Sequence, residues 1–317
     1  MAPYRIAVIG VGKIATDEHL PSIAKNPRFT LAGLVSGRGI EQPGVPTFQN
    51  SAELYAALPD LDAVAICTPP GPRTALAREA LDAGVNVLLE KPPTPTVGEL
   101  RDLARQADGQ GRIIFTTWHS QYNAAVEETR ARLAGHAIRR LAITWKEDVR
   151  RWHPGQDWIW ETSGFGVFDP GINALSILTR IMPAPVFVRS ARLLTPSNRA
   201  MPIAASIAFT SPALTEPAPG EDAITAEFDW RQRGDQTWDI AADLADGTAL
   251  RLTGGGTALA VDGVTVVEEP RDEYDRIYAR FAALLEAGTS FVDMAPFELV
   301  ADAFMVGRRA EVEPFVA

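Results

Sequence analysis

The sequence predicts an α/β chain in two parts: a doubly wound parallel sheet over residues 1–120, then an α+β domain with an open, mostly antiparallel sheet over residues 121–317. Three observations lead there. Short apolar runs alternate with helical patterns through the first 120 residues, as βαβ units require. From residue 186 onward, strand-like runs are joined by Pro- and Gly-rich turns. And 317 residues, 46% apolar and 22% charged, supply core enough for about two domains.

The elements follow in order. Residues 4–10 read as a strand, 13–24 as a helix, 31–36 as a second strand and 61–67 as a third, which Pro69, Pro70 and Pro72 end sharply. Residues 74–83 read as a helix closed by Gly84, and 85–89 as the next strand. Thr96 with Glu99 three residues on is a capping box, opening a helix to about residue 108. Residues 112–117 give a further strand, and the domain boundary falls near residues 118–122. Beyond it come a helix near 124–133, a long strand over 138–147, an aromatic irregular stretch over 149–166 and a helix to about residue 182. Residues 240–267 read as a meander, with turns at Asp246-Gly247, Gly254-Gly255-Gly256 and Asp262-Gly263. Helices over 273–287 and 296–310 complete the chain, and no internal repeat is visible.

Composition excludes whole classes of partner. Thirty Lys and Arg against forty Asp and Glu leave a net charge of −10 with no basic cluster, a poor match for nucleic acid or anionic lipid. No apolar run is long enough to span a membrane. Cys67, the only cysteine, cannot form an internal disulfide, and the opening apolar run is too short for a signal-peptide core. The expected location is the cytoplasm.

Gly10-Val11-Gly12-Lys13-Ile14-Ala15 fits G-x-G-x-x-[GA] between an opening strand and a helix. Gly10 permits the tight turn, Gly12 lets the backbone approach a pyrophosphate, and Ala15 allows helix and strand to pack closely. The motif makes the first domain a Rossmann NAD(P)-binding domain. An NAD enzyme usually carries Asp or Glu at the end of the second strand to hold the ribose. This chain has Ser36-Gly37-Arg38-Gly39, whose serine and arginine suit a 2′-phosphate. NADP is therefore the preferred cofactor, with NAD tolerated. The expected cofactor set also takes in Lys13, Ile14, Thr68, Pro69, Glu90 and Lys91.

Glu90-Lys91-Pro92 sits at the end of a strand, where open α/β sheets place their ligands. A lysine there can stabilise an oxyanion in a desolvated site. The glycine loop followed by this tripeptide and a sheet domain resembles the Gfo/Idh/MocA family (glucose–fructose oxidoreductase and inositol dehydrogenase). The resemblance covers essentially the whole chain. It implies a substrate domain whose sheet often forms an oligomer interface, so a monomer or a homodimer through the C-terminal sheet, with the active site between domains.

The family also expects G-G-x-x-x-D-x-x-x-H at the start of a second-domain helix. Here Gly164-Phe165-Gly166-Val167-Phe168-Asp169-Pro170-Gly171-Ile172-Asn173 keeps the aspartate and replaces the histidine by asparagine. Asn carries no proton near neutral pH, so no Asp–His relay is expected. Residues 169 and 173 share one helix face, and Gly164, Gly166 and Gly171 leave room for a small substrate. The competing reading makes Asp169-Pro170 a helix cap with proline at the first helical position.

Within the family, residues 117–120, 145–155 and 166–175 resemble the branch acting as bacterial L-arabinose/D-galactose 1-dehydrogenases. That resemblance implies hydride transfer from the anomeric carbon of a pyranose to the nicotinamide, giving a lactone. Asp169 is then the expected base, Lys91 the oxyanion stabiliser and Asn173 the group orienting the anomeric carbon or ring oxygen. A proton path through Lys91 stays open. His119, Glu147 and Trp152 would hold the remaining hydroxyls, and Trp230 is either a further sugar contact or core. His19, His136 and His153 show no ligand spacing, so no metal is expected. Two alternatives stand beside this: a family oxidoreductase acting on an inositol, xylose or another cyclic polyol, and a cofactor- or sugar-sensing regulator without turnover.

Overall fold

The computed structural model describes residues 2–214 and 223–316; part of the Pro-rich turn region expected after residue 186 lies outside them. The chain forms two compact units, Met1–His119 with Asp272–Met294, and Ser120–Arg271 with Ala295–Ala317. Among the described residues, no helix is long and apolar enough to cross a membrane.

The first unit holds β1 (Tyr4–Ile9), β2 (Phe29–Val35), β3 (Thr47–Phe48), β4 (Ala63–Ile66), β5 (Asn86–Leu89) and β6 (Ile114–Thr116), all parallel, in the order β3-β2-β1-β4-β5-β6. This is the doubly wound order, and it brings the ends of β1 and β4 side by side where the strand order reverses. β4 is buried throughout, and β1 and β5 nearly so, which is why they read as unbroken apolar runs.

Several elements depart from expectation. The first helix opens with a π turn over Ala15–His19 before the α-helix Leu20–Lys25. Pro21 has no N–H to donate and its ring crowds the carbonyl four residues back, so the preceding turn widens. The helix Ser51–Ala57 was not expected, although Asn50 and Glu53 form a capping box: Glu53 N–H donates to Asn50 Oδ1 at 2.9 Å and Gln49 N–H donates to Glu53 Oε2 at 3.1 Å. The helix Pro70–Asp82 begins four residues early because Pro70 fits a first-turn position. Thr96 caps Val97–Gly109 as its spacing requires.

A single division at residue 120 does not describe these units, because residues 272–294 belong with the first. The helix Glu273–Ala287 buries Tyr274, Ile277, Tyr278, Phe281 and Leu284 at three- and four-residue spacing. Phe281 stacks on Phe29 and Phe115 at 5.9 Å each. The following segment satisfies the free edge of β6: Thr116 N–H donates to Phe291 O at 3.1 Å, and Phe291 N–H to Ile114 O at 3.0 Å.

The second unit holds β7 (Ile138–Lys146), β8 (Phe187–Pro196), β9 (Ala204–Thr210), β10 (Ile224–Asp229), β11 (Thr237–Leu244), β12 (Ala249–Thr253), β13 (Ala258–Val261), β14 (Val264–Glu268) and β15 (Arg308–Val312). Their order is β14-β13-β12-β11-β7-β10-β9-β8-β15, antiparallel except for β7 with β10 and β8 with β15. The meander turns fall where the Asp-Gly and triple-glycine signals put them. The last helix is shorter than expected: Ala295–Val306 ends at Gly307, and β15 follows along β8. One face of the sheet carries helices, with Phe168 of Phe168–Ile181 packed against Phe228 at 6.0 Å and Phe304 at 5.0 Å.

Truncating Phe281 should leave a cavity between the rings of Phe29 and Phe115. Phe281→Ala is expected to destabilise the first unit by about 3–5 kcal/mol in a denaturant titration. A loss below about 1 kcal/mol would show that residues 272–294 are peripheral to that core.

Candidate active site

In the first unit the glycine loop is shaped by contact. Gly10 has φ +90°, and a Cβ there would lie 2.7 Å from Thr68 Cγ2. Only glycine fits both constraints. Gly12, by contrast, faces open space, with nothing within 4 Å of the point a Cβ would occupy. Beside the loop, Thr68 Oγ1 is buried and has no hydrogen-bond partner among the described residues. Ser36 is buried and accepts from Ile40 N–H at 3.1 Å, leaving its hydroxyl hydrogen to donate. Arg38 is exposed. Lys13 pairs with Asp17 along its own helix. An open cradle, a buried hydroxyl without a partner and an exposed guanidinium fit a phosphorylated dinucleotide.

Lys91 follows a carboxylate that is almost fully buried. Glu90, 2% exposed, accepts from Lys91 N–H at 2.8 Å, from Tyr274 O–H at 2.6 Å and from Thr117 Oγ1 at 3.4 Å, and it pairs with His19 Nε2 at 3.1 Å. His19 Nδ1 lies 2.8 Å from Tyr278 Oη. Arg73, which the sequence reading missed, donates to the carbonyls of Thr68, Glu90 and Pro92, tying the ends of β4 and β5 together. His119 stacks on Tyr274 at 5.6 Å and lies 3.6 Å from Glu273 Oε1.

The ionisation of this cluster follows from burial and pairing. Burial pushes the Glu90 carboxyl up, but hydrogen bonding and charge attraction from His19, with His119 and Tyr274 adding to them, outweigh it and bring it down to about 2. Burial pushes the His19 imidazole down, and Cys67, Tyr278 and Glu90 together lift it well above its ordinary value.

In the second unit, Glu147 at the end of β7 accepts from two indoles, Trp230 Nε1 at 3.2 Å and Trp238 Nε1 at 3.0 Å. Trp152 donates to Gln236 Oε1 at 3.3 Å and packs on Trp238 at 5.5 Å. Trp230 is fully buried between His153 and Trp160, each 5.3 Å away, so it acts through Glu147 and the core rather than as a platform for a sugar.

Asp169, 3% exposed, stands in the first turn of Phe168–Ile181, with Asn173 one turn further on the same face. It is not the cap: Val167 occupies that position, so Asp169-Pro170 lies inside the helix. The glycines around it serve packing instead of opening space. A Cβ at Gly164 would strike Trp158 and Ile159, one at Gly166 would strike Pro202, and one at Gly171 would meet the Phe228 ring at 2.8 Å. Phe165 and Gly166 both take positive φ, 69° and 54°, to turn the chain into the helix. Asn173 offers no histidine for an Asp–His relay, but an imidazole reaches Asp169 from elsewhere in the chain. His153 Nε2 lies 3.4 Å from Asp169 Oδ2, because the 149–166 segment folds back over the helix start. Among the described residues, no three His, Cys, Asp or Glu cluster to hold a metal.

A dinucleotide loop on a doubly wound sheet, beside a buried glutamate and the lysine that follows it, defines a nicotinamide-dependent oxidoreductase. Residues 4–118 match the GFO_IDH_MocA family model, described as an oxidoreductase family with an NAD-binding Rossmann fold. The chain is 46% identical to galactose 1-dehydrogenase of Pseudomonas fluorescens over 99% of both chains. It is 48% identical to a crystal structure of D-galactose-1-dehydrogenase from Rhizobium etli, covering 100% of this chain and 99% of that one, with a TM-score of 0.93. A 3-ketoreductase from Actinomadura kijaniata, solved with NADP and TDP-benzene, shares the fold at 18% identity, covering 98% and 99% of the two chains with a TM-score of 0.80. The chain belongs to the Gfo/Idh/MocA oxidoreductase family.

The lowered Glu90 stabilises the fold above its ordinary carboxyl range and loses that contribution as pH falls from about 5 to 2. The raised His19 stabilises below about pH 6.5 and loses its contribution as pH climbs through its lifted value. Thermal midpoints of the wild type should therefore fall steeply on acidification between those limits. Glu90→Gln should start lower and fall less steeply. Parallel acid limbs would mean the pair contributes nothing to folding.

Proposed function

We propose that this oxidoreductase is an NADP-preferring aldose 1-dehydrogenase that oxidises the anomeric carbon of D-galactose and L-arabinose to the lactone. The observation that carries the reading is the identity to galactose 1-dehydrogenase along nearly the full length of both chains. L-Arabinose, D-galactose and D-fucose share their ring stereochemistry and differ at C5, so one set of hydroxyl contacts serves all three.

When bound, the nicotinamide supplies a hydride acceptor for the anomeric carbon. The chain must then take the hydroxyl proton and hold the sugar. Asp169 is the proposed acceptor, with His153 beside it to orient the carboxylate and receive the proton in turn. Lys91 is the proposed stabiliser of the developing oxyanion, and Asn173 orients the anomeric carbon. Glu147, fixed by two indole donors, and Trp152 and His119 are the proposed contacts to the other hydroxyls and the ring face. Ser36 and Arg38 are the proposed 2′-phosphate contacts.

Absorbance at 340 nm with NADP and a panel of aldoses and cyclic polyols tests the assignment. D-Galactose, L-arabinose and D-fucose should turn over best; myo-inositol or D-glucose turning over much better would overturn it. Asp169→Asn keeps the shape and removes the base, so turnover should fall roughly 10²–10⁴-fold while NADP binding, read by fluorescence quenching, barely changes. Near-normal turnover in a folded variant would remove Asp169 from the chemistry. Arg38→Ala should raise the KM for NADP by about tenfold or more and leave that for NAD nearly unchanged. Equal changes would make Arg38 a spectator.

A further inference from the structure

The segment that brings His153 to Asp169 has little structure of its own. It holds only the short helical turns Val149–Trp152 and Asp157–Trp160, and turns of four residues are not stable by themselves. A cavity of about 260 Å³ is lined by Val149, Arg150, His153, Gln156, Asp157 and Trp160 among others. The segment is therefore held by the side chains that pack on it.

One end is clamped from far along the chain. Phe315 is 7% exposed, and a single side chain takes both of its backbone groups: Asn198 Nδ2 donates to Phe315 O at 3.0 Å, and Phe315 N–H donates to Asn198 Oδ1 at 2.9 Å. The Arg150 guanidinium lies 4.4 Å over the Phe315 ring and donates to Val316 O at 3.1 Å. Trp160 packs on the same ring at 5.4 Å. From there a chain of tilted and edge-on ring contacts runs Phe315–Trp160–Trp230–His153 inside the second unit and ends at Asp169. Cation–π and ring contacts of this kind are directional, so they set orientation as well as burial.

We infer that Phe315 is a positioning residue: with Asn198 and Arg150 it clamps residues 149–160 and so holds the His153 ring against Asp169. The inference rests on the reading of Asp169 as proton acceptor, and its test has readouts that do not depend on that reading. Phe315→Ala in the full chain should release the segment. Trypsin should then cut after Arg150 and Arg151 roughly tenfold faster or more. In nitrogen-detected NMR of the four histidines, the ring resonances of His153 should move toward those of a free imidazole while His19, His119 and His136 stay in place. With D-galactose, kcat/KM should fall roughly ten- to a hundredfold, with the KM for NADP within about twofold of wild type. Phe315→Tyr, which keeps the ring, should restore all three readouts. If Phe315→Ala does not fold, Arg150→Met, which removes the cation over the ring and its bond to Val316, should move the His153 resonances and kcat/KM in the same way, with faster cleavage read after Arg151 alone. A lower melting temperature with unmoved His153 resonances and unchanged cleavage would overturn the inference and leave Phe315 as ordinary core. Should no aldose be turned over by the wild type, the proposed function fails, while the NMR and proteolysis still decide the clamp.

Discussion

A carboxylate taken out of water must find its donors within the protein, and Glu90 imposes that constraint on the whole first unit. Its four partners come from four places: the helix after β1 (His19), its own following peptide (Lys91), the end of β6 (Thr117) and the returning helix Glu273–Ala287 (Tyr274). Left unpaired, such a group costs several kcal/mol, so each of these segments is held to the others by the need to satisfy it. The same need explains why the chain comes back to its first unit after building its second. Tyr274 and Tyr278 complete a cluster that nothing within residues 1–119 completes.

Glu147 sets the corresponding condition in the second unit, with a different solution. Two indole N–H groups donate to it. Donors on rigid rings fix the direction in which the carboxylate points. This also accounts for Trp230. A ring with no solvent exposure is useless as a platform for a ligand, yet its N–H fixes the orientation of a group at the end of β7.

Much of this was legible in the sequence wherever a local rule governed. The glycine loop, the Thr96 cap, the parallel order implied by alternating apolar runs and the three meander turns each depend on residues within a few positions of one another. The legible part of the site was of the same kind: Glu90-Lys91-Pro92 at a strand end, Asp169 and Asn173 one helical turn apart. What failed to show depends on distance along the chain. Residues 272–294 read as a second-domain helix because their helical pattern is local, whereas their partners Phe29 and Phe115 lie more than 150 positions away. Arg73 looks like an ordinary helical arginine until three carbonyls converge on it. The glycines near Asp169 misled for a related reason. A missing side chain signals closeness of something, and the sequence does not say whether that is ligand or backbone. The helix Ser51–Ala57 is the exception, since the Asn50–Glu53 spacing was there to be read.

Asn173 stands where the family resemblance puts a histidine, and in this chain the imidazole near Asp169 is that of His153. A histidine four residues after Asp169 would have its place set by helix geometry alone. An imidazole arriving on the 149–166 segment has no such guarantee, because that segment carries only isolated turns. Its position is built from a local contact, Gln156 Oε1 at 3.3 Å from the far ring nitrogen, and from tertiary ones, the Trp230 ring behind it and Trp160 behind that. Rigid rings with few torsions fix a side chain from an irregular segment at little cost in conformational entropy.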